Sequence, residues 1–244
     1  MVYFSDIFNV DESIIEEYGA MNISLLNDIP LFIDPFLLYA SEKQEYKLLH
    51  EKILDYLAFL RDKASGEISL EKIKRWYTFP EVKQNWLGYS ETGNGGLGLG
   101  KDFGESMSRV IQRVFPNLRE EKITETSHLE KLSLFRVGVG RDNISDFTCN
   151  LIKQYLLEYT QTFAQKYLTS DQCKKVAVSK VYFDYGYETW MSHSYVLPYF
   201  NNDYVILTPK DILTKDETWI NASEMRHRLL DITSSLPNET LRDQ

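Results

Sequence analysis

Asp142 and Asp146 stand four residues apart, where an apolar segment ends in glycines and a helical pattern begins. The stretch reads Phe135-Arg-Val-Gly-Val-Gly-Arg-Asp-Asn-Ile-Ser-Asp-Phe-Thr-Cys-Asn150. A junction where a strand hands over to a helix can hold polar groups rigidly and near solvent, and hard oxygen ligands from both aspartates suit Mg2+ or Mn2+. A divalent ion held there would serve phosphoryl chemistry. The same residues also suit capping. Asp142 fits a turn after Gly140, and Ser145 or Asp146 fits the first helical amides. Asn150 lies four residues past Asp146 on the same face.

Three further segments carry candidates. Ser127-His-Leu-Glu-Lys131 gathers His128 and Glu130 at two-residue spacing before an apolar run. That spacing puts both on one side of a strand, and Glu130 is a candidate third ligand or base. A solvated strand edge is the plainer reading. Thr208-Pro-Lys-Asp-Ile-Leu-Thr-Lys-Asp216 offers Lys210 and Lys215; Lys210 is the candidate phosphate contact, and a solvated loop is the simpler account of the segment. Gly95 and Gly100-Lys101 meet the G-x4-G-K spacing of a phosphate loop. Asp102, however, stands where a hydroxyl should bind magnesium, and a polar stretch precedes the loop instead of a strand. A lid or surface loop is the ordinary reading. Asp34, before Pro35, reads as a helix cap. The chain has no Gly-x-Ser-x-Gly elbow and no His-Glu-x-x-His motif, so serine hydrolase and zincin chemistry have no support.

The elements that would position these residues follow from periodicity and punctuation. A helix starts at the Asp11 cap and runs to Tyr18. Short strands are expected over 21–26 and 30–33, around an Asn27-Asp28 turn. Leu48, Leu49, Ile53, Tyr56, Leu57 and Leu60 recur at helical steps in a long segment ending near Ala64. Ser69 caps a short helix to Trp76 or Tyr77, and another spans Lys101 to Phe115. A strand over 129–139 leads into a helix from about Ser145 to Leu168. Strands are expected over 176–185, 190–200 and 204–208, the last two joined by Asn201-Asn202-Asp203. A final helix covers 222–232. This order predicts an α+β fold, with long helices packed on a mixed, largely antiparallel sheet of about five strands. The reading is one domain over 1–244, with a helical N-terminal subdomain over 1–87 and a glycine-rich loop over 88–100. Asn238 would cap a helix with only six residues left, too few for stability, so a longer parent protein is expected.

With 43% apolar and 26% charged residues, the 244-residue chain can bury a sizeable core and is not a disordered segment. No apolar run is long enough for a spanning helix, and the start lacks a signal-peptide pattern. The two cysteines form neither a disulfide framework nor a zinc set. A cytoplasmic protein with no membrane partner is expected, with Cys149 as a small core residue. The net charge of −9 argues against a broad phosphate-binding surface but leaves room for a local basic groove.

Gly138-Val-Gly-Arg-Asp-Asn-Ile-Ser-Asp-Phe-Thr-Cys-Asn150 and the stretch Val205 to Asn221 resemble segments of bacterial proteins encoded among phage-defence and mobile-element genes. That resemblance implies nucleic-acid-directed chemistry. Restriction-type nucleases place an Asp at one strand end and a Glu-x-Lys on the next strand. Here Asp146 would be the first acid. The triplets Glu81-Val-Lys83 and Glu120-Glu-Lys122 both lie upstream, in apparent loops, an order that departs from that pattern. Two readings follow. One is a metal-dependent phosphodiesterase or nuclease with Asp142, Asp146 and Glu130 as ligands. The other is a non-catalytic recognition or assembly module, rich in interface-prone aromatics, that binds a protein partner or its own C-terminal region.

Overall fold

In the computed structural model, residues 2–64, 68–88, 100–114 and 141–215 are described. The expected strand over 129–139, Glu130, most of the glycine-rich loop and the final helix lie outside them. The chain begins with α1 (Phe4–Phe8) and α2 (Glu12–Tyr18). Asp11 caps α2 by accepting the Ser13 amide at 2.8 Å, which leaves the apolar side of the helix free to face the core. β1 (Leu31–Ile33) is buried throughout and is followed by α3 (Pro35–Ala40). Asp34 caps α3 through the Phe36 amide at 2.8 Å, with Pro35 at a position where no donor is needed.

The long helical segment breaks after Ala40 and resumes as α4 (Gln44–Lys63). Its apolar stripe (Leu49, Ile53, Leu57 and Leu60) is buried, as a 3.6-residue period requires. Then come α5 (Leu70–Trp76), capped by Ser69, and α6 (Lys101–Val114). The central element is α7 (Arg141–Tyr167), 27 residues long, which packs against α4, β1, β2 and β3. Ile144, Phe147, Ile152, Leu156 and Phe163 are its buried anchors.

β2 (Cys173–Asp184) and β3 (Thr189–Phe200) form a long antiparallel hairpin. β4 (Asp203–Tyr204) extends it through a turn in which Asn201 and Asn202 both have positive φ. Asn tolerates that conformation, which is why this tripeptide makes a tight hairpin.

The α+β class is as expected, but the strands do not join in one sheet. Among the described residues there are two antiparallel sheets, β2-β3-β4 and β1-β5, where β5 is Leu213–Lys215. Sequence reading treated 208–216 as a loop. Instead Leu213 pairs with Ile33, so this segment closes over β1. The expected strand over 21–26 contributes only an isolated bridge, Tyr3 with Ser24, and 205–208 is not strand. Leu207 is nonetheless fixed, because its amide donates to the Thr160 hydroxyl of α7 at 2.9 Å. Among the described residues, no helix is long and apolar enough to cross a membrane.

Candidate functional site

The first two turns of α7 lie against two connecting segments, 27–29 and 80–88. Backbone bonds lock these together. The Ile29 amide donates to the Trp86 carbonyl at 2.9 Å, and the Gly88 amide donates to the Ile29 carbonyl at 3.0 Å. Side chains of α7 fasten the pair to the helix. The Asn150 amide nitrogen donates to the Pro80 carbonyl at 2.7 Å and to the Asp146 carbonyl at 2.8 Å. The Ser145 hydroxyl accepts the Ile33 amide of β1 at 2.9 Å. Asn85 reaches the buried Cys149 thiol at 3.4 Å. Asn150 is thus a fastener between α7 and the 80–88 segment.

This assembly brings four carboxylates near one another, an acidic pocket in the sense that their charges are felt between them: Asp28, Glu81, Asp142 and Asp146. Asp28, Asp142 and Asp146 each have the carboxyl pKa raised, by burial first and then by neighbouring acids. Burial raises the Asp146 carboxyl to about 8, aided by the charges of Asp142 and Glu81 and opposed by a hydrogen bond from the Val82 amide. Burial, then Glu81, raises Asp142. Asp28 rises to about 6 through burial and the charges of Glu81 and Asp142, with Lys83 pulling the other way. Desolvated like charges disfavour joint ionisation, so at neutral pH Asp146 keeps its proton. One oxygen, Glu81 Oε2, is buried with no hydrogen-bond partner. Such an atom is costly and calls for an explanation.

Gly88 closes the pocket. At φ +128°, a Cβ there would sit 2.9 Å from Asp142 Oδ1. Only glycine lets the backbone approach that carboxylate so closely.

Asp142 and Asp146 therefore come together as the sequence suggested. Both lie inside α7, which starts at Arg141 and not near Ser145, so neither stands before the helix as its cap. Glu130 lies outside the described residues. Lys210 is placed elsewhere: its ammonium pairs with Glu16 at 3.0 Å, and it is not among the charges that shift the pocket's acids. Sequence reading missed Asp28 entirely and set aside Glu81-Val82-Lys83 because of its position upstream. That triplet was the available signal. It could not be weighted without knowing that 80–88 folds back onto α7.

The donor set is all hard oxygen, which fits Mg2+ or Mn2+, and the orphaned Glu81 oxygen is an acceptor such an ion would satisfy. Among the described residues, no three His, Cys, Asp or Glu side chains are already gathered tightly enough to hold a metal ion.

Compared with known proteins, the chain belongs to the family described as a domain of unknown function, DUF8370, whose model matches residues 9–221. No curated protein and no solved structure matches it.

Proposed function

We propose that in this DUF8370 member the pocket at the start of α7 holds a divalent cation, and that the protein is a metal-dependent phosphodiesterase or nuclease. The reading is that of a bacterial defence-type protein. Asp28, Glu81, Asp142 and Asp146 would hold Mg2+ or Mn2+, with Glu130 as a further candidate. Once bound, the ion supplies a Lewis acid for a phosphoryl oxygen and lowers the pKa of a water. The chain's own part is to exclude solvent, to present a cation at the rim and to manage protons. Lys83, whose charge is felt at Asp28, is suited to offset charge on a phosphate. Asp146, still protonated near neutrality, is suited to release a proton as a cation enters.

One observation carries the proposal. Carboxylates from three separate segments converge, and the central one leaves a buried oxygen without a partner. A purely structural arrangement gains nothing from that oxygen, since a buried polar atom without a hydrogen-bond partner destabilises a fold. Incubation of the purified chain with DNA and RNA plus Mg2+ or Mn2+ tests the proposal. Wild type should cleave, with Asp146→Ala reduced by roughly a hundredfold. Equal products from both proteins would remove the assignment.

The second reading, a non-catalytic recognition or assembly module, draws support from the absence of a gathered ligand set among the described residues. In that case the pocket holds protons alone, and Mn2+ leaves both stability and nucleic acid untouched.

A further inference from the structure

The β2-β3-β4 sheet has one side capped and the other open. On the capped side the Val196 amide donates away from β2, to Gln161 Oε1 of α7 at 2.7 Å. Pro198 turns its carbonyl the same way and accepts the Val205 amide at 2.9 Å. Opposed residues in an antiparallel ladder exchange either both hydrogen bonds or neither. Val196 lies opposite Lys175 and Pro198 opposite Cys173, so neither pair exchanges bonds. Cys173 and Lys175 therefore turn their own N–H and C=O outward along the edge of β2, and by two-residue alternation Ala177 does the same. Among the described residues nothing pairs with that edge. It ends at a bulge, where the register shifts between Val178 and Tyr182 and Lys180 is held at φ +51°.

An open edge is a template for another strand, and proteins usually blunt it with lysines and bulges. Blunting of this kind is selective. From Cys173 to Phe183 the strand carries Lys174, Lys175 and Lys180 and no acid, in a chain whose net charge is −9. Lys174 and Lys175 are exposed, and among the described residues neither has an ion-pair partner. Lys174 instead lies over the Tyr199 ring at 4.4 Å, which keeps its charge beside the sheet. Two copies of β2 side by side would bring these lysines close to their counterparts, and like charges oppose that. A strand carrying carboxylates meets no such barrier.

We propose that the edge of β2 from Cys173 to Val178 is a docking site for an extended acidic segment of a partner protein, which adds to the sheet as a further strand. The outward groups of Cys173, Lys175 and Ala177 would fix about six residues of such a segment through its backbone. Lys174 and Lys175, being adjacent, lie on opposite faces of the sheet. Acids at neighbouring positions of the segment would therefore answer both. Backbone pairing supplies the affinity, and the lysines select for charge. Docking here is independent of a metal ion and of any cleavage at the start of α7.

The test uses the full chain and fluorescence anisotropy of a labelled synthetic peptide, about ten residues of glutamate, threonine and valine. Wild type should bind it saturably. The same peptide with every backbone amide methylated keeps its charge but loses its donors, and should not bind. Ala177→Pro removes an outward N–H without touching the bonds to β3, and should weaken binding on the order of tenfold. Lys175→Glu, an exposed substitution with no bearing on the ladder, should weaken it further; a melting temperature equal to wild type shows its fold intact. Affinity unchanged by Lys175→Glu, equal binding of the methylated peptide, or no saturable binding by wild type would each overturn the docking site. Sedimentation of the unliganded protein is the second measurement. A dimer abolished by Ala177→Pro would overturn the acidic partner in favour of a second copy. Lys175-dependent binding of DNA or RNA oligonucleotides, with no binding of the peptide, would overturn it in favour of nucleic acid.

Discussion

The two ends of α7 are built on opposite terms. Its C-terminal half lies among rings whose polar groups are paired. The Tyr18 hydroxyl donates to the Tyr159 carbonyl at 2.8 Å, and the Tyr159 hydroxyl returns a bond to the Tyr18 carbonyl at 3.1 Å. Phe163 is fully buried and meets Phe4 and Tyr18 edge-on, with centroids 5.8 and 5.1 Å away. Thr160 donates to Leu156 and accepts from Leu207. The N-terminal half, by contrast, lies among carboxylates, three of them with pKa values raised by burial and by neighbouring acids, and leaves Glu81 Oε2 without a hydrogen-bond partner. One helix serves both regions, so the contrast is not a matter of local propensity. Where groups are mutually satisfied, the structure is scaffold. Where they are held in conflict by a rigid frame, the frame serves something beyond stability.

That contrast can be broken from either side. The largest effect is expected at the aromatic end: Phe163→Ala removes a fully buried ring and should cost about 3–5 kcal/mol in urea unfolding, with little dependence on pH. Next is Gly88→Ala. It combines strain at φ +128° with a Cβ 2.9 Å from Asp142 Oδ1, so a loss of about 1–3 kcal/mol is expected, together with loss of any metal-dependent activity.

The acidic end should respond with the opposite sign. The native Asp146 carboxyl binds its proton up to about pH 8, whereas an ordinary aspartate releases it near 3.8. Between those values the native state holds more protons than the unfolded state, so stability falls as pH rises through that window. Asp28 adds to the decline up to about pH 6. Asp146→Asn should therefore stabilise the metal-free protein at pH 8, by on the order of 1–2 kcal/mol, and flatten the decline. A variant that is less stable at pH 8 would show the carboxylates to be compensated. The smallest effect is Tyr159→Phe, which removes one donor of the reciprocal pair and should cost about 1 kcal/mol, again without pH dependence.

Much of the frame was legible in the chain. Asp11, Asp34 and Ser69 announce helix starts because a short polar side chain before an apolar period has one common use. The Asn201-Asn202 turn is equally local. What stayed hidden depended on distant pairing. Leu213–Lys215 is strand only because Leu31–Ile33 lies beside it, and three residues carry too little period to be read alone. The same limit divided the candidate site. Asp142 and Asp146 were visible because they stand together where an apolar, glycine-ended segment gives way to a helical pattern. Asp28 and Glu81 reach the pocket through backbone bonds between Ile29, Trp86 and Gly88, which no local pattern encodes. Lys210 illustrates the reverse error: a lysine beside an apolar run suggested a phosphate contact, but the fold gave it Glu16.

The most direct test of the acidic pocket as a cation site is calorimetric titration of the metal-free protein with Mn2+ near pH 7, in two buffers of different ionisation heat. A cation entering a protonated carboxylate cluster must displace protons. Wild type should therefore show saturable binding with a buffer-dependent heat, and Glu81→Gln and Asp146→Asn should each weaken or abolish it. Saturable binding that both variants retain unchanged, or no binding by wild type at millimolar Mn2+, would contradict the account.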